Sequence, residues 1–345
     1  MFAATTVAPG FWDWSLDPPL VLVIAVAILY LLGDRRTTTP LRSGTARRRR
    51  GACFFAGLAV IAIALASPLD TLSQQLFWAH MTQHVLLLVV APPLIVLARP
   101  WIRLWRGLGL TPRRALARGV ALSDRTRWLR AASRALGTPA VSFIAFSVVL
   151  LVWHVPALFD ATLRSESLHI LEHTLFFTTA VLFWKQVIDS PPLHARLGSV
   201  QRVAYLVGAM IVSWVLAIAI AIAPHPLYGF YAHEATRPGG ISALTDQQIA
   251  AGIMWVPGSI TFVIVIFAYV HRWLAPAPSH TPRAPSLAAC PRREHVHRTT
   301  DRRRLPDRLD PVARDSLGRA DPRCGLVRPR VAPRRRRTLA AYMLT

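Results

Sequence analysis

Seven apolar stretches, separated by polar segments, constrain the fold of this chain more than any other feature of its sequence. They cover residues 19–33, 51–67, 78–98, 138–153, 168–188, 203–223 and 249–269. A helix needs about 20 apolar residues to cross a hydrocarbon core of about 30 Å, and the first and fourth stretches lie at the lower edge of that range. The pattern therefore predicts an all-α polytopic membrane helical bundle with seven transmembrane helices.

The basic residues alternate between the connecting segments. Residues 34–50 contain seven arginines, residues 99–137 contain ten, and residues 185–202 contain three basic side chains. The segments between them are almost free of basic residues, with none over 68–77 and one each over 154–167 and 224–248. Because Arg-rich loops stay in the cytoplasm, this alternation places the N-terminus out and the C-terminus in. The expected location is the bacterial inner membrane.

The net charge of +23 does not indicate a nucleic-acid-binding membrane domain. Nearly all of its arginines lie on one predicted side, where they fit contact with the anionic lipid of the bilayer. The chain has three cysteines and no Cys-x-x-Cys motif, which argues against a thiolate metal site or an outer disulfide.

The composition divides the chain into a membrane domain over residues 1–274 and a tail over residues 275–345. The tail contains 17 arginines, no lysine, and Tyr342 as its one aromatic residue. Such a segment cannot build a core, so we expect a disordered cytoplasmic tail. Translation of a GC-rich gene in a shifted frame would give the same composition. No functional site is placed there.

Seven of the twelve histidines lie on one side of the predicted membrane. Those at the outer helix ends or in the outer loops are His80, His84, His154, His169, His173, His225 and His233. The pairs His80/His84 and His169/His173 have i, i+4 spacing, which puts both imidazoles of a pair on one helix face. Imidazole is a common ligand of copper, zinc and haem iron, so this grouping predicts an outward-facing metal site.

Further polar residues extend this prediction. Glu172 lies between two histidines inside an apolar helix, where an ionisable group costs about 2.5–3.5 kcal/mol and is a candidate for function. It can ligate metal, hold an imidazole tautomer or carry protons. Met254, in the outer half of the seventh stretch, suits Cu(I), although single methionines commonly serve packing. In the third stretch, Pro92 and Pro93 predict a kink.

The predicted metal-binding residues are His80, His84, His154, His169, His173, Glu172 and Met254, with copper as the expected metal. We predict no catalytic residue. If the third and fifth helices are neighbours, His84 and His173 form the centre of this site.

Several motifs of the chain occur in order between about residues 19 and 273. They are Ser67-Pro68-Leu69-Asp70, Gln83-His84-Val85-Leu86-Leu87, Ala91-Pro92-Pro93, Trp153-His154-Val155-Pro156-Ala157-Leu158-Phe159-Asp160, Leu168-His169 with Leu171-Glu172-His173, and Asp246-Gln247-Gln248 with Met254-Trp255-Val256-Pro257-Gly258. With these motifs the chain resembles the multi-pass CtaG family of cytochrome c oxidase assembly factors, associated with caa3-type oxidases. The tail departs from the family pattern.

The resemblance implies an assembly factor rather than an enzyme, acting at the copper-insertion stage of haem–copper oxidase maturation. Its implied partners are oxidase subunits and a periplasmic or extracellular-side copper donor. The oxidase carries its copper on the outer side or in the outer half of the membrane, on the side where this chain gathers its histidines.

Three other interpretations are compatible with parts of the sequence. A bis-histidine haem protein that transfers electrons would use His84 and His173 as axial ligands, but i, i+4 pairs suit a small ion better. A copper or proton transporter would need polar residues through the inner half of the membrane, where the helices are apolar. A metal-free scaffold for oxidase subunits fits the sequence as well.

Overall fold

The computed structural model describes residues 18–37, 44–234 and 237–275, and these residues are helical with short connections and no β-strand. The α-helices are α1 Pro18–Arg35, α2 Gly44–Ala66, α3 Pro68–Ser73, α4 Phe77–Val85, α5 Ala91–Ala98, α6 Trp101–Gly107, α7 Leu110–Leu116, α8 Arg127–Leu136, α9 Pro139–Trp153, α10 Pro156–Arg164, α11 Glu166–Val187, α12 Ser199–Ala221, α13 Gly229–Ala232 and α14 Ala243–Leu274. The all-α prediction is confirmed for these ranges. The predicted tail from residue 276 onward lies outside the described residues.

Every one of the seven apolar stretches forms a helix. Within the described ranges, α1, α2, the continuous segment Phe77–Ala98, α12 and α14 are long and apolar enough to cross a membrane, which gives five candidate spans. A sixth is obtained if Asp124–Leu136 and Pro139–Trp153, bent by 88°, count as one span. Helix α11 has 22 residues but contains Glu166, Glu172 and Lys185. The count of seven spans and the orientation of the termini therefore remain predictions.

The polar connections are more helical than their charge suggests. Residues 99–137, expected as an arginine-rich loop, contain α6, α7 and α8, and the shorter connections contain α3, α10 and α13. In α8, Trp128 and Leu129 alternate with arginines and are exposed. Apolar and basic residues at helical spacing are typical of a helix that lies in the membrane interface. Charge alone does not distinguish such a helix from a loop.

The segment from α4 to α5 runs through the two prolines as one continuous stretch, and the predicted kink there stays a prediction. A π-helical turn, Leu86–Val90, joins the two helices into one 22-residue candidate span. Pro92 has no N–H to donate to the carbonyl four residues earlier, at Leu88. The Trp184 indole of α11 donates to that oxygen instead, at 3.0 Å. This bond satisfies the carbonyl and holds α11 beside α4 and α5.

Two apolar clusters pack the helices around α4 and α11, and a third joins α1, α2 and α5. The larger cluster joins α5, α9, α11, α12 and α14 through residues such as Phe146, Phe183 and Phe262. The second cluster lies where α4, α10, α12, α13 and α14 meet, and it contains Phe77, Phe159 and other buried residues. It surrounds the start of α4, which carries two of the predicted metal-binding histidines.

Helices α1 and α6 approach each other through glycines. A Cβ on Gly33 would lie 1.7 Å from the Arg103 carbonyl oxygen, and a Cβ on Gly107 would lie 2.1 Å from the Leu29 carbonyl oxygen. No real side chain tolerates such distances, so the two backbones can meet only where the Cβ is missing. Nearby, Asp34 of α1 accepts a hydrogen bond from the Arg103 guanidinium at 2.7 Å.

We expect Gly33→Ala to lower the thermal unfolding temperature of the purified protein clearly. The added methyl must separate α1 from α6, and overpacking of this kind typically costs about 1–3 kcal/mol. Gly51→Ala in α2 is the matched control, because its Cβ would meet no atom within 4 Å. It should be neutral or stabilising by up to about 1 kcal/mol through helix propensity. Equal unfolding temperatures for the two variants would contradict the close packing of α1 on α6.

Candidate metal centre

Four side chains from α4 and α11 converge at one end of the bundle. His80, His84, Glu172 and His173 each offer one ligand atom, and these atoms all lie within 4.8 Å of one another. The four residues, here called the donor cluster, are buried, with exposed fractions of 0%, 2%, 0% and 9%. The sequence predicts this centre only if the third and fifth apolar stretches are neighbours. Helices α4 and α11, which these stretches form, are neighbours in the structure.

The nitrogen atoms of α4 point toward the carboxylate of α11. His80 Nε2 lies 2.9 Å from His84 Nε2, and the two Glu172 oxygens lie 3.7 Å from His84 Nε2 and 4.0 Å from His80 Nε2. The i, i+4 spacing puts both imidazoles on the face that contacts α11. Three imidazoles and one carboxylate are a donor set that suits a four-coordinate ion such as zinc or copper.

A tyrosine outside the predicted spans fixes the tautomer of His80. The Tyr231 hydroxyl donates to the Ser73 carbonyl oxygen at 2.5 Å, so toward His80 it can only accept. His80 Nδ1 lies 3.1 Å from that hydroxyl oxygen and is therefore its N–H donor. Burial raises the pKa of the Tyr231 phenol well above its usual value, which keeps the hydroxyl protonated. His80 Nε2 is left with its lone pair directed at the donor cluster.

Many buried polar atoms around the donor cluster have no hydrogen-bond partner. They include both oxygens of Glu172 and one ring nitrogen each of His84, His154, His169 and His173, which are six of the eleven such atoms among the described residues. Buried polar groups are normally hydrogen-bonded, and a concentration of exceptions indicates a missing ion or water. The carboxylate oxygens are Lewis bases, and so is each imidazole nitrogen that carries the lone pair, so the group fits a cation.

The remaining predicted ligands surround the donor cluster without joining it. His169 packs against His80 and His173 with ring centroids 5.2 and 4.2 Å away. His154 is buried at the end of α9, and its ring lies 5.8 Å from that of His84. Met254 of α14 lines a small cavity together with His84 and His154. All seven predicted residues thus lie in one region of the bundle.

Two details go beyond what the sequence indicates. His80 is fully buried because Tyr231 and Phe159, from α13 and α10, cover it. His225 and His233, which the sequence places on the outer side but not among the predicted metal-binding residues, are exposed and lie outside the donor cluster.

Asp246 holds the beginning of α4 in place, a role that the sequence does not reveal. Its two carboxylate oxygens accept the backbone N–H groups of Phe77 and Trp78 at 2.8 and 2.9 Å. These N–H groups belong to the first turn of α4 and have no partner within the helix. The neighbouring Gln247 accepts the Leu227 N–H at 2.7 Å and donates to the Ile220 carbonyl at 3.0 Å. The start of α14 therefore sets the position of His80 and His84.

Gln83, between the two histidines of α4, ties this helix to α2 and α3. Its amide donates to the Ala64 carbonyl at 2.7 Å and to the Asp70 carboxylate at 2.8 Å. The Ser-Pro-Leu-Asp and Gln-His motifs are thus two halves of one contact. Asp70 and Gln83 each belong to a motif of the sequence, but neither motif indicates that the two side chains contact each other.

Comparison with known protein families identifies the chain. A family model described as cytochrome c oxidase caa3 assembly factor (CtaG) matches residues 28–275. The chain belongs to this family. The match covers the described helices from within α1 to the end of α14, and therefore the whole donor cluster of this CtaG protein.

Curated relatives of this CtaG protein are found in mycobacteria. Uncharacterized proteins of Mycobacterium bovis and Mycobacterium tuberculosis are each 24% identical over 278 residues, which cover 78% of this chain and 40% of the relative. An uncharacterized protein of Mycobacterium leprae is 24% identical over 269 residues, 76% of this chain and 40% of the relative. The chain thus spans about two fifths of the length of these relatives. No solved structure matches the chain.

Proposed function

We propose that this CtaG protein binds copper at the donor cluster and supplies it during maturation of a haem–copper cytochrome c oxidase. Copper is the cargo in this proposal, not a resident cofactor. The observation that carries it is the convergence of three buried imidazoles and one carboxylate within 4.8 Å, on residues inside the family match. In the predicted orientation the cluster lies in the outer half of the membrane, on the side of the oxidase's copper centres.

The chemistry of the site favours binding and release over catalysis. The donor cluster supplies nitrogen and oxygen ligands without a thiolate, and imidazole suits copper as well as zinc. The family assembles an oxidase, which makes copper the relevant cargo. His169 is partly exposed, and its ring packs against that of His173 in the donor cluster, with centroids 4.2 Å apart.

A bis-histidine haem site does not fit this geometry. The His84 and His173 rings are 5.4 Å apart, with the Glu172 carboxylate 3.7 Å from His84 Nε2. The adjoining cavity has a volume of about 30 Å³. Pockets for organic ligands of drug size have roughly 300 Å³ or more, and a porphyrin needs space of that order between its axial ligands. The region has room for an ion and its ligands but not for a macrocycle.

The proposal is tested by purifying the oxidase from cells with and without this chain. We expect oxidase from cells that lack the chain to contain normal haem but less copper, with activity reduced in proportion. Growth in added copper should restore part of both. Haem per oxidase serves as the internal control for assembly.

Two other results would contradict copper supply. Normal copper in the smaller amount of oxidase that still forms would favour the metal-free scaffold. Loss of haem together with copper would indicate an earlier role in subunit assembly.

A further inference from the structure

A small cavity adjoins His84. It is lined mainly by apolar residues of α4, the π-helical turn, α9 and α14, by Ser213 of α12, and by three side chains that can ligate metal: His84, His154 and Met254. Its volume of about 30 Å³ is enough for one small ion or water. None of its lining residues comes from α11, so it is separate from Glu172 and His173.

The hydrogen bonds of the site determine which nitrogen of His84 is free. His80 Nδ1 donates to Tyr231, so His80 Nε2 is an acceptor, and the nitrogen 2.9 Å away, His84 Nε2, must be the donor. A neutral imidazole has one N–H and one lone pair, so the lone pair of His84 is on Nδ1. That atom is buried and has no hydrogen-bond partner. Ring geometry directs it away from the donor cluster.

His154 presents a second free lone pair to the same cavity wall. Its Nδ1 donates to the Leu150 carbonyl oxygen at 2.7 Å, because a carbonyl can only accept. The lone pair is therefore on Nε2, which is also buried without a partner. The His84 and His154 rings have centroids 5.8 Å apart. Two imidazoles that share an ion, with metal–nitrogen bonds of about 2.0–2.1 Å, place their centroids roughly 5–6 Å apart.

We propose that this cavity is a second copper position, in which Cu(I) is held by His84 Nδ1, His154 Nε2 and the Met254 thioether. Two imidazoles and a thioether in a mainly apolar cavity are soft ligands that favour Cu(I) over harder cations. The His154 lone pair is held in place by Leu150 before any ion arrives. This inference rests on the proposed copper-binding function and deepens it.

Sharing His84 makes the two copper positions alternatives rather than a pair. A neutral imidazole can give its lone pair to one ion only, through Nδ1 to the cavity or through Nε2 to the donor cluster. When an ion moves from the cavity to the donor cluster, the His84 proton moves from Nε2 to Nδ1, and the ring gains or loses no proton overall. One ion per chain can therefore exchange between a soft position and a harder position.

X-ray absorption at the copper edge tests this second position. Purified full-length protein is loaded with one equivalent of Cu(I) under anaerobic conditions, and sulfur is detected as a shell near 2.3 Å, longer than the nitrogen shell at about 2.0 Å. We expect a sulfur shell in the wild type and its loss in Met254→Leu. Met81→Leu is the matched control, because Met81 is buried in the same apolar cluster but does not line the cavity. Both changes conserve volume, which usually costs less than about 1.5 kcal/mol.

A third variant shifts the ion between the two positions. Glu172→Gln weakens only the donor cluster, so the sulfur contribution should rise above that of the wild type. A wild-type spectrum without sulfur, or a sulfur shell that persists in Met254→Leu, would overturn the second position. Copper bound through nitrogen and oxygen alone, and lost from Glu172→Gln, would leave the proposed function standing without the second copper position. If the wild type binds no copper, both proposals fail.

Discussion

Replacing His84 and His173 by alanine together should reduce the copper content of the oxidase to that of cells lacking this chain. The double variant removes one ligand from each helix of the donor cluster, and it also removes the imidazole shared with the cavity. Changes to residues that merely orient a ligand typically cost about 10–100-fold in metal affinity, so loss of two ligands should cost more. Oxidase activity should fall with the copper content, while the variant stays in the membrane at wild-type amounts.

The matched control is His225→Ala together with His233→Ala. These histidines are exposed and lie outside the donor cluster, so the control removes the same number of imidazoles without touching the site. Copper per oxidase and activity should remain at the wild-type level. Wild-type copper in the His84/His173 variant would contradict copper supply through the donor cluster. Equal losses in both double variants would indicate a general effect of outer histidines.

Asp246→Ala should produce the largest loss of stability among single substitutions near the site. The Phe77 and Trp78 N–H groups would both lose their acceptor, and an unsatisfied buried donor costs about 1–3 kcal/mol. The buried Phe77 N–H alone predicts a loss of roughly 1–3 kcal/mol in the free energy of unfolding, and the part-buried Trp78 N–H adds a smaller loss. Because the first turn of α4 would fray, Cu(I) affinity should fall with the stability. Asp246→Asn keeps one acceptor oxygen and should lie between Asp246→Ala and the wild type.

Asp189→Ala is the control for Asp246→Ala, because we expect it to change the free energy of unfolding little. Asp189 pairs with Arg202 at 3.2 Å, and its side chain is 48% exposed. An exposed ion pair contributes about 0–1 kcal/mol, so this variant should unfold close to the wild type and bind Cu(I) normally. Denaturant unfolding in detergent ranks the three variants by their free energy of unfolding. Asp246→Ala at the level of Asp189→Ala would show that α14 does not hold the start of α4.

The sequence was most informative where the relevant interactions are local. Apolar stretches gave the helices, and the i, i+4 histidine pairs gave the two faces that meet in the donor cluster. Glu172 was recognisable because a carboxylate in an apolar helix is costly. These signals lie within a few residues of one another and depend only on helix geometry.

Contacts between distant segments could not be predicted in the same way. The Trp184 indole satisfies a carbonyl freed by Pro92, and Tyr231 fixes the tautomer of His80 across 151 residues of sequence. Neither residue belongs to a motif that indicates its partner. The arginine-rich segment 99–137 is helical where its charge predicts a loop, because the positive-inside pattern responds to charge and not to amphipathic periodicity. The burial of His80 likewise depends on a cover from α10 and α13 that no local pattern reveals.

Anaerobic Cu(I) titration of the purified protein tests the central claim most directly. The full chain is titrated against a chromophoric Cu(I) chelator, in parallel with the His84/His173 and His225/His233 double variants. The donor cluster predicts one tightly held Cu(I) per chain in the wild type and in the His225/His233 variant, and none in the His84/His173 variant. The same weak binding in all three proteins would contradict a copper site at the donor cluster.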